Sequence, residues 1–488
     1  MFSLSISRML SGIMDQSLLF KIISVVLLWL ALPQLYAQKE VANLGTLKLA
    51  EKRFNRVTGC KNGLLAVSYG SKEQRNFRLY DKDGAFLYSH ILKKDQGTAV
   101  LSPLHIQETD STLVYYFPGK MAKYDLEMVT VWKDRNQIKT KDFRFNKAKN
   151  FLRIGIATHD GFIAIIQGKK SKQFQYVKLN PQGELERGVL EINYPETGSL
   201  LWRNKYYTQV IDEGPQPLLG LSGASKVYNR AEDQFLITLD PMRKEDNGMI
   251  RMFTLDLKTK KLTYNRLLNQ IDQGFKNIRS FVYRDHLYRL TVKYGFLDLG
   301  IFRLSDFEQV QHYRAERGSD FSLNNSAVIL AGKGSYLNQD RLREDKETRA
   351  VLKGMDKLRL ILDVYPVNDQ IAVKVGSYGE FLGAQFTPGL GLLDPYGSAF
   401  NFQGLSRDKL YKNIAFNGFI SLLQNETMEQ STKPARFDTQ ELKIWDFVRN
   451  NVKEYLHLTA LDLAEAGSCL VAEEQKTGEV VILQFDGF

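Results

Sequence analysis

Cysteine is the scarcest reactive residue in this chain. It occurs twice in 488 residues, at Cys60 and Cys469, which excludes a disulfide-stapled miniature fold and any zinc site built on cysteine pairs. The six histidines contain no i,i+4 pair, so the metal motif carried on one helix face is excluded too. No metal or cofactor is expected. A Gly-rich phosphate loop and a Gly-Xaa-Ser-Xaa-Gly nucleophile elbow are both missing, which removes the commonest nucleotide and serine-hydrolase signatures. Proline is sparse at 12 residues, and no low-complexity stretch divides the chain, so one domain is expected rather than several. No apolar run is long enough to cross a bilayer as a helix.

The longest apolar run present is Ile22 to Leu32. Lys21 precedes it and Leu35-Tyr36-Ala37 follows with a small residue last, the pattern of an export signal; Met14 would open a more ordinary signal than Met1. Residues 1–37 are therefore read as a signal peptide and 38–488 as the mature domain, periplasmic or extracellular. Export would remove Arg8, Lys21 and Asp15, so most of the formal charge of +11 stays. Basic clusters such as Lys169, Lys170, Lys172 and Lys258, Lys260, Lys261 do not form one patch, which argues against nucleic acid.

What the chain has in quantity is strand-forming sequence, with 23 Tyr and 29 Phe. In Gly63 to Leu92 an apolar run (Leu64 to Val67) precedes an alternating strand (Phe77, Leu79). Asp81-Lys82-Asp83-Gly84 then makes a hairpin turn, and a further strand begins at Phe86. The turn looks like the start of a calcium loop but lacks the acid that closes one. Apolar second strands recur from Gly63, Ser111, Gly161, Asp233, Asp285, Asp369 and Gly467, at gaps of 48, 50, 72, 52, 84 and 98 residues. Four-stranded blades take about 40 to 50 residues. The reading is an all-β, closed β-propeller of about seven four-stranded blades, with six or eight also fitting; the longest gap could hide a further blade near Phe416 to Leu423. The last unit ends on a third strand, Val480 to Phe488, and Leu44 to Leu49 is expected to supply its fourth.

In its signal, its apolar second strands and its Asp-Gly turns the chain resembles secreted bacterial β-propeller proteins, many of them uncharacterised. The resemblance implies a fold rather than an activity. The Asp-rich boxes of sialidase propellers and the Trp-Asp endings of another large propeller class are absent.

Three insertions are expected on one face of the ring, at about 335–357, 376–398 and 438–451. The first and third read as short helices, the third with an Asp438 to Glu441 capping box. Phe381, Phe386, Tyr396 and Trp445 are the candidate anchors for a protein or glycan partner at the cell envelope. The alternative function is a carbohydrate-active enzyme of glycosidase or lyase type, using Asp363 and Asp462 on neighbouring channel-lining strands as acid and base. Cys60 and Cys469 fall in the first and last units, adjacent in a closed ring, where a disulfide or two buried thiols would fit. A monomer is expected.

Overall fold

A computed structural model describes residues 38–46, 53–59, 64–71, 74–81, 83–93, 103, 105–118, 126–144, 150–158, 160–168, 174–193, 208–211, 225–241, 248–267, 277–293, 295–318, 323–332, 343–344, 352, 355, 359–380, 414–435, 455–463, 467–474 and 476–485. The first sheet shows how the repeat folds. Arg53–Gly59, Leu65–Ser71, Gln74–Tyr80 and Phe86–Lys93 pair successively and antiparallel. Its last hairpin turns because the Asp81 carboxylate accepts the amides of Asp83 and Ala85 at 2.9 and 2.8 Å, while Gly84 takes φ 81°. The same device recurs at Asn180 to Gly183, where Gly183 has φ 79° and Asn180 Oδ1 accepts the Glu184 amide.

Six further sets of successive antiparallel strands follow among the described residues. The second sheet holds His105–Glu108, Thr112–Pro118, Leu126–Trp132 and Ile138–Phe143. The third holds Asn150–Thr158, Gly161–Gly168, Phe174–Leu179 and Leu185–Asn193. Ser225–Ala231, Gln234–Leu239, Ile250–Asp256 and Lys261–Leu267 form the fourth. The fifth comprises Asn277–Tyr283, His286–Lys293, Phe296–Arg303 and Gln309–Glu316. Arg359–Val367, Gln370–Glu380 and Ile414–Gln424 begin the sixth. Tyr455–Leu463, Gly467–Glu474 and Glu479–Phe485 begin the seventh. The segment Phe416 to Leu423 is thus the third strand of the sixth sheet, not a blade of its own.

Stacking explains why the middle strands are apolar throughout. Every residue from Leu113 to Phe117 is at most 1% exposed. Leu113, Tyr115 and Phe117 pack on Ala66, Phe77 and Leu79 of the first sheet, whereas Val114 and Tyr116 pack on Phe162, Ala164 and Ile166 of the third. A strand with a sheet on both sides has no solvent face, so alternation disappears from its sequence.

The seventh sheet takes its fourth strand from the N-terminal side. Gln38–Thr46 runs antiparallel to Glu479–Phe485, with Gln38 opposite Phe485 and Thr46 opposite Glu479. The strand begins six residues before the expected Leu44; Leu47 to Leu49 lie outside the described residues. Arg53–Gly59 of the first sheet also packs beside Tyr455–Leu463 of the last. The ring is closed at the sequence ends.

Two sheets depart from the plain pattern. Thr208–Ile211 adds an inner strand parallel to Ser225–Ala231, and the outer strands of the third and fourth sheets join in parallel where Glu191 to Asn193 meets Lys261 to Thr263. In the sixth sheet the outer position is shared. Ile329–Gly332 pairs with Ala415 to Gly418, Asn325 and Ser326 bond Ile420, and Gln430 bridges Leu423. The expected helix within 335–357 is interrupted, because Arg343–Glu344 is a short strand paired with Ile329 and Leu330. Leu352 and Met355 are helical and fully buried. Gly376 to Glu380, expected to open the second insertion, belong to a strand held against Ile414 to Gly418.

Candidate functional site

Antiparallel order gives the ring two unlike faces. The connections from first to second and from third to fourth strands open on one, here the turn face. Those from second to third strands, and from one sheet to the next, open on the loop face.

On the turn face the first-to-second turns carry Asp110, Asp160, Asp233, Asp285 and Asp369 around the axis. Four of these acids have cations beside them. Lys178 lies 3.2 Å from Asp160 and 2.8 Å from Asp233 of the next sheet; Arg230 lies 2.7 Å from Asp285 of the next sheet, and Lys433 lies 3.5 Å from Asp369. Arg284 continues the series to Asn425 of the sixth sheet at 2.7 Å. Burial works to raise the pKa of Asp160, but hydrogen bonds from Thr158 and Lys178 and the charge of Lys178 hold it below the ordinary carboxylate range. Burial likewise opposes the charge on Lys178, and its two carboxylates overcome it and raise its pKa. This face is stitched from sheet to sheet.

Toward the loop face the charges are buried instead. Arg75, opening a third strand, pairs at 2.9 Å with Glu127 of the neighbouring sheet, both wholly buried, and its guanidinium lies 3.5 Å over the Phe117 ring. Lys226 pairs at 3.0 Å with Asp240, which also accepts the Ser280 amide at 3.0 Å and its hydroxyl at 2.5 Å. Burial lowers the pKa of Lys226, Asp240 opposing. In the fifth sheet buried Asp298 holds His312 Nε2 at 2.5 Å and Arg289 at 3.6 Å. Each acid and base is committed to a partner, so these groups support the ring rather than offer themselves to a substrate.

Asp363 belongs to the same class. Its side chain is wholly buried and lies 3.4 Å from Lys374, its register partner on the next strand. A glycosidase acid must reach a leaving-group oxygen, and the Asp363 side chain, expected on a channel-lining strand as an acid or base, is wholly enclosed. Asp462 sits on Tyr455–Leu463 opposite Ser468, its side chain outside the described residues. Cys469 is opposite Gln484 and Leu461, also with an undescribed side chain. Cys60, Phe381, Phe386, Tyr396 and Trp445, like residues 436–454, lie outside the described residues. Among the described residues no three His, Cys, Asp or Glu side chains could hold a metal ion, and no helix is long and apolar enough to cross a membrane.

Sequence reasoning passed over the buried pairs, although each left a trace: Glu127 in LEMVTVW, Arg289 in HLYRLTV, Asp298 in FLDLGIF and Lys374 in QIAVKVG are single charges inside apolar strands. A charge in a strand covered on both sides must find its opposite.

Four-stranded antiparallel sheets in sequence, inner strands packed against one another and an N-terminal strand completing the last sheet define a β-propeller. No known family profile matches the chain, and no curated protein does. Among solved structures it is similar to the Dos1 propeller, at 9% identity and TM-score 0.37 over 94% of this chain and 98% of that one. It is also similar to a prolyl endopeptidase structure, at 8% identity and TM-score 0.34 over 87% of this chain and 46% of that one. A third is the uncharacterized protein lmo1340 from Listeria monocytogenes EGD-e, at 8% identity and TM-score 0.31 over 82% of this chain and 98% of that one.

Proposed function

We propose that this chain is an exported, non-catalytic β-propeller that binds a protein or glycan partner through its loop face. One observation carries the reading. The second-to-third connection of the first sheet passes from Ser71 to Gln74, whereas that of the sixth spans residues 381–413 and is rich in Phe, Leu and Tyr. A long apolar connection held by a rigid scaffold is how binding elements are added to a fold. The apolar Ile22 to Leu32 run supports the exported compartment, and the commitment of Asp363 to Lys374 weighs against the enzymatic alternative.

A glycan and envelope-protein array probed with the purified protein tests this reading. Binding by the wild type, abolished by the triple substitution F381A/F386A/Y396A with the thermal melt unchanged, is the expected result. Retention of binding by the triple variant, or hydrolysis of a glycan that D363N and D462N abolish, would remove it.

A further inference from the structure

Phe86–Lys93 is unlike the other outer strands described. It ends its sheet, yet it exposes Phe86, Leu87 and Ile91 at 54%, 42% and 60%, three of the five large apolar side chains most exposed in the described residues. Three other sheet margins are guarded. Ile138–Phe143 presents Lys139 and Lys141, Gln309–Glu316 is largely polar or charged, and Leu185–Asn193 is joined to Lys261–Leu267. Exposed apolar edge strands template pairing with another strand unless charge, proline, a bulge or a covering segment prevents it, and the one irregularity in this strand, at Leu87 between the Leu79–Tyr88 and Tyr80–Phe86 pairs, leaves Tyr88 to Lys93 in regular register.

We propose that Phe86–Lys93 pairs antiparallel with the same strand of a second copy of this chain, about a two-fold axis at Ser89. In an antiparallel pair, facing residues lie on the same side of the sheet, so a two-fold axis perpendicular to the sheet must pass through a residue. An axis at Tyr88 would set Leu87 against Ser89 and Ile91 against Ala85. One at His90 would set Leu87 against Lys93. Only at Ser89 does Leu87 face Ile91 of the second copy twice over, merging the two exposed apolar patches. At that register Lys93 falls opposite Ala85, beside the exposed Asp83 in the turn of the other copy. The strand therefore supplies its own apolar and ionic complement, which a foreign strand would have to match, and the contact is isologous and closed. It replaces the monomer expected from sequence and is independent of the loop-face reading.

A contact built on one pair of strands lies at the small end of protein interfaces, so a dissociation constant on the order of micromolar is expected. Sedimentation velocity on protein expressed from the full chain, over a concentration series spanning that range, should show monomer passing to dimer. L87K/I91K should weaken the dimer at least about tenfold through like charges at the seam, with the melting temperature unchanged because both side chains point to solvent. S89C, oxidised, should give a covalent dimer through the two introduced thiols, mapped by peptide mass spectrometry, whereas L87C should not. A protein that stays monomeric throughout, a dimer indifferent to L87K/I91K, or a dimer that S89C fails to capture would overturn the proposal. Pairing with a foreign peptide but not with itself would do the same.

Discussion

At Gly300 the lack of a side chain is what lets three others meet. Arg289, Gly300 and His312 face one another across three strands, and a Cβ on Gly300 would lie 2.8 Å from Phe302 and 3.3 Å from Arg289. The guanidinium occupies that space, over the Phe302 ring at 4.6 Å and beside Asp298. Such buried pairs stabilise less than they appear to, because desolvating two charges offsets most of their attraction. Removing one partner is another matter. Glu127→Leu removes the carboxylate that balances the Arg75 charge in a dry interface and should cost about 3–5 kcal/mol, while R75M/E127L should recover most of the loss. Chemical denaturation of the two single variants and the double variant measures this, and a double variant as unstable as either single would contradict it.

Two histidines contribute a pH response at the same scale. Burial lowers the pKa of His90; it does the same at His286, where Arg303 assists and Asp285 opposes. With folded values below the unfolded value of about 6.5, the unfolded chain binds more protons in that window. Stability present above about pH 6.5 is therefore lost as pH falls through the folded values. As pH falls from 7.5, the melting temperature of H90Q/H286Q should fall less than that of wild type; equal slopes would show that these two groups carry none of the response.

Among elements, the outer edge of the sixth sheet depends most on a single side chain. Asn325 Oδ1 accepts the Leu422 amide at 2.7 Å, and its Nδ2 donates to the carbonyls of Ser431 and Lys433 at 2.6 and 2.9 Å. Its backbone bonds Ile420 and Ala435. One residue thus ties the third strand to two segments far apart in sequence, completing an edge that would otherwise be open. Asn325→Ala should cost about 1–3 kcal/mol by leaving the buried Leu422 amide unsatisfied. Asn325→Asp should not rescue it, since a carboxylate would face two carbonyl oxygens. Hydrogen exchange at Leu422, compared among the three proteins, reports the change locally.

For the whole molecule, closure is the decisive feature. Gln38–Thr46 covers Val480 to Leu483, which are at most 4% exposed. A chain lacking residues 38–46 should melt several degrees lower and scatter light on heating, as an uncovered edge recruits other copies. A peptide of residues 38–46 supplied in trans should restore part of the loss. A truncated chain with an unchanged melt would mean that this strand does not hold the ring.

Strand identity was legible without coordinates because it depends on local chemistry. The apolar runs at Leu64, Leu113, Phe162, Phe235, Leu287, Ile371 and Leu470, and the Asp81 to Gly84 and Asn180 to Gly183 turns, identify second strands and hairpins from propensity and turn geometry alone. Asp363 shows the limit. Its strand was placed correctly, but whether its carboxylate meets water or Lys374 depends on which way a pleat faces once a neighbouring sheet is packed against it. The pairing of Asp298 with His312, the parallel joint at Glu191 to Asn193, and the sharing of one sheet edge by residues 325–332 and 430 were likewise decided only in the folded molecule. Each joins residues whose sequences carry no mark of the other, and the free energy that brings them together comes from burying neighbouring sheets against one another.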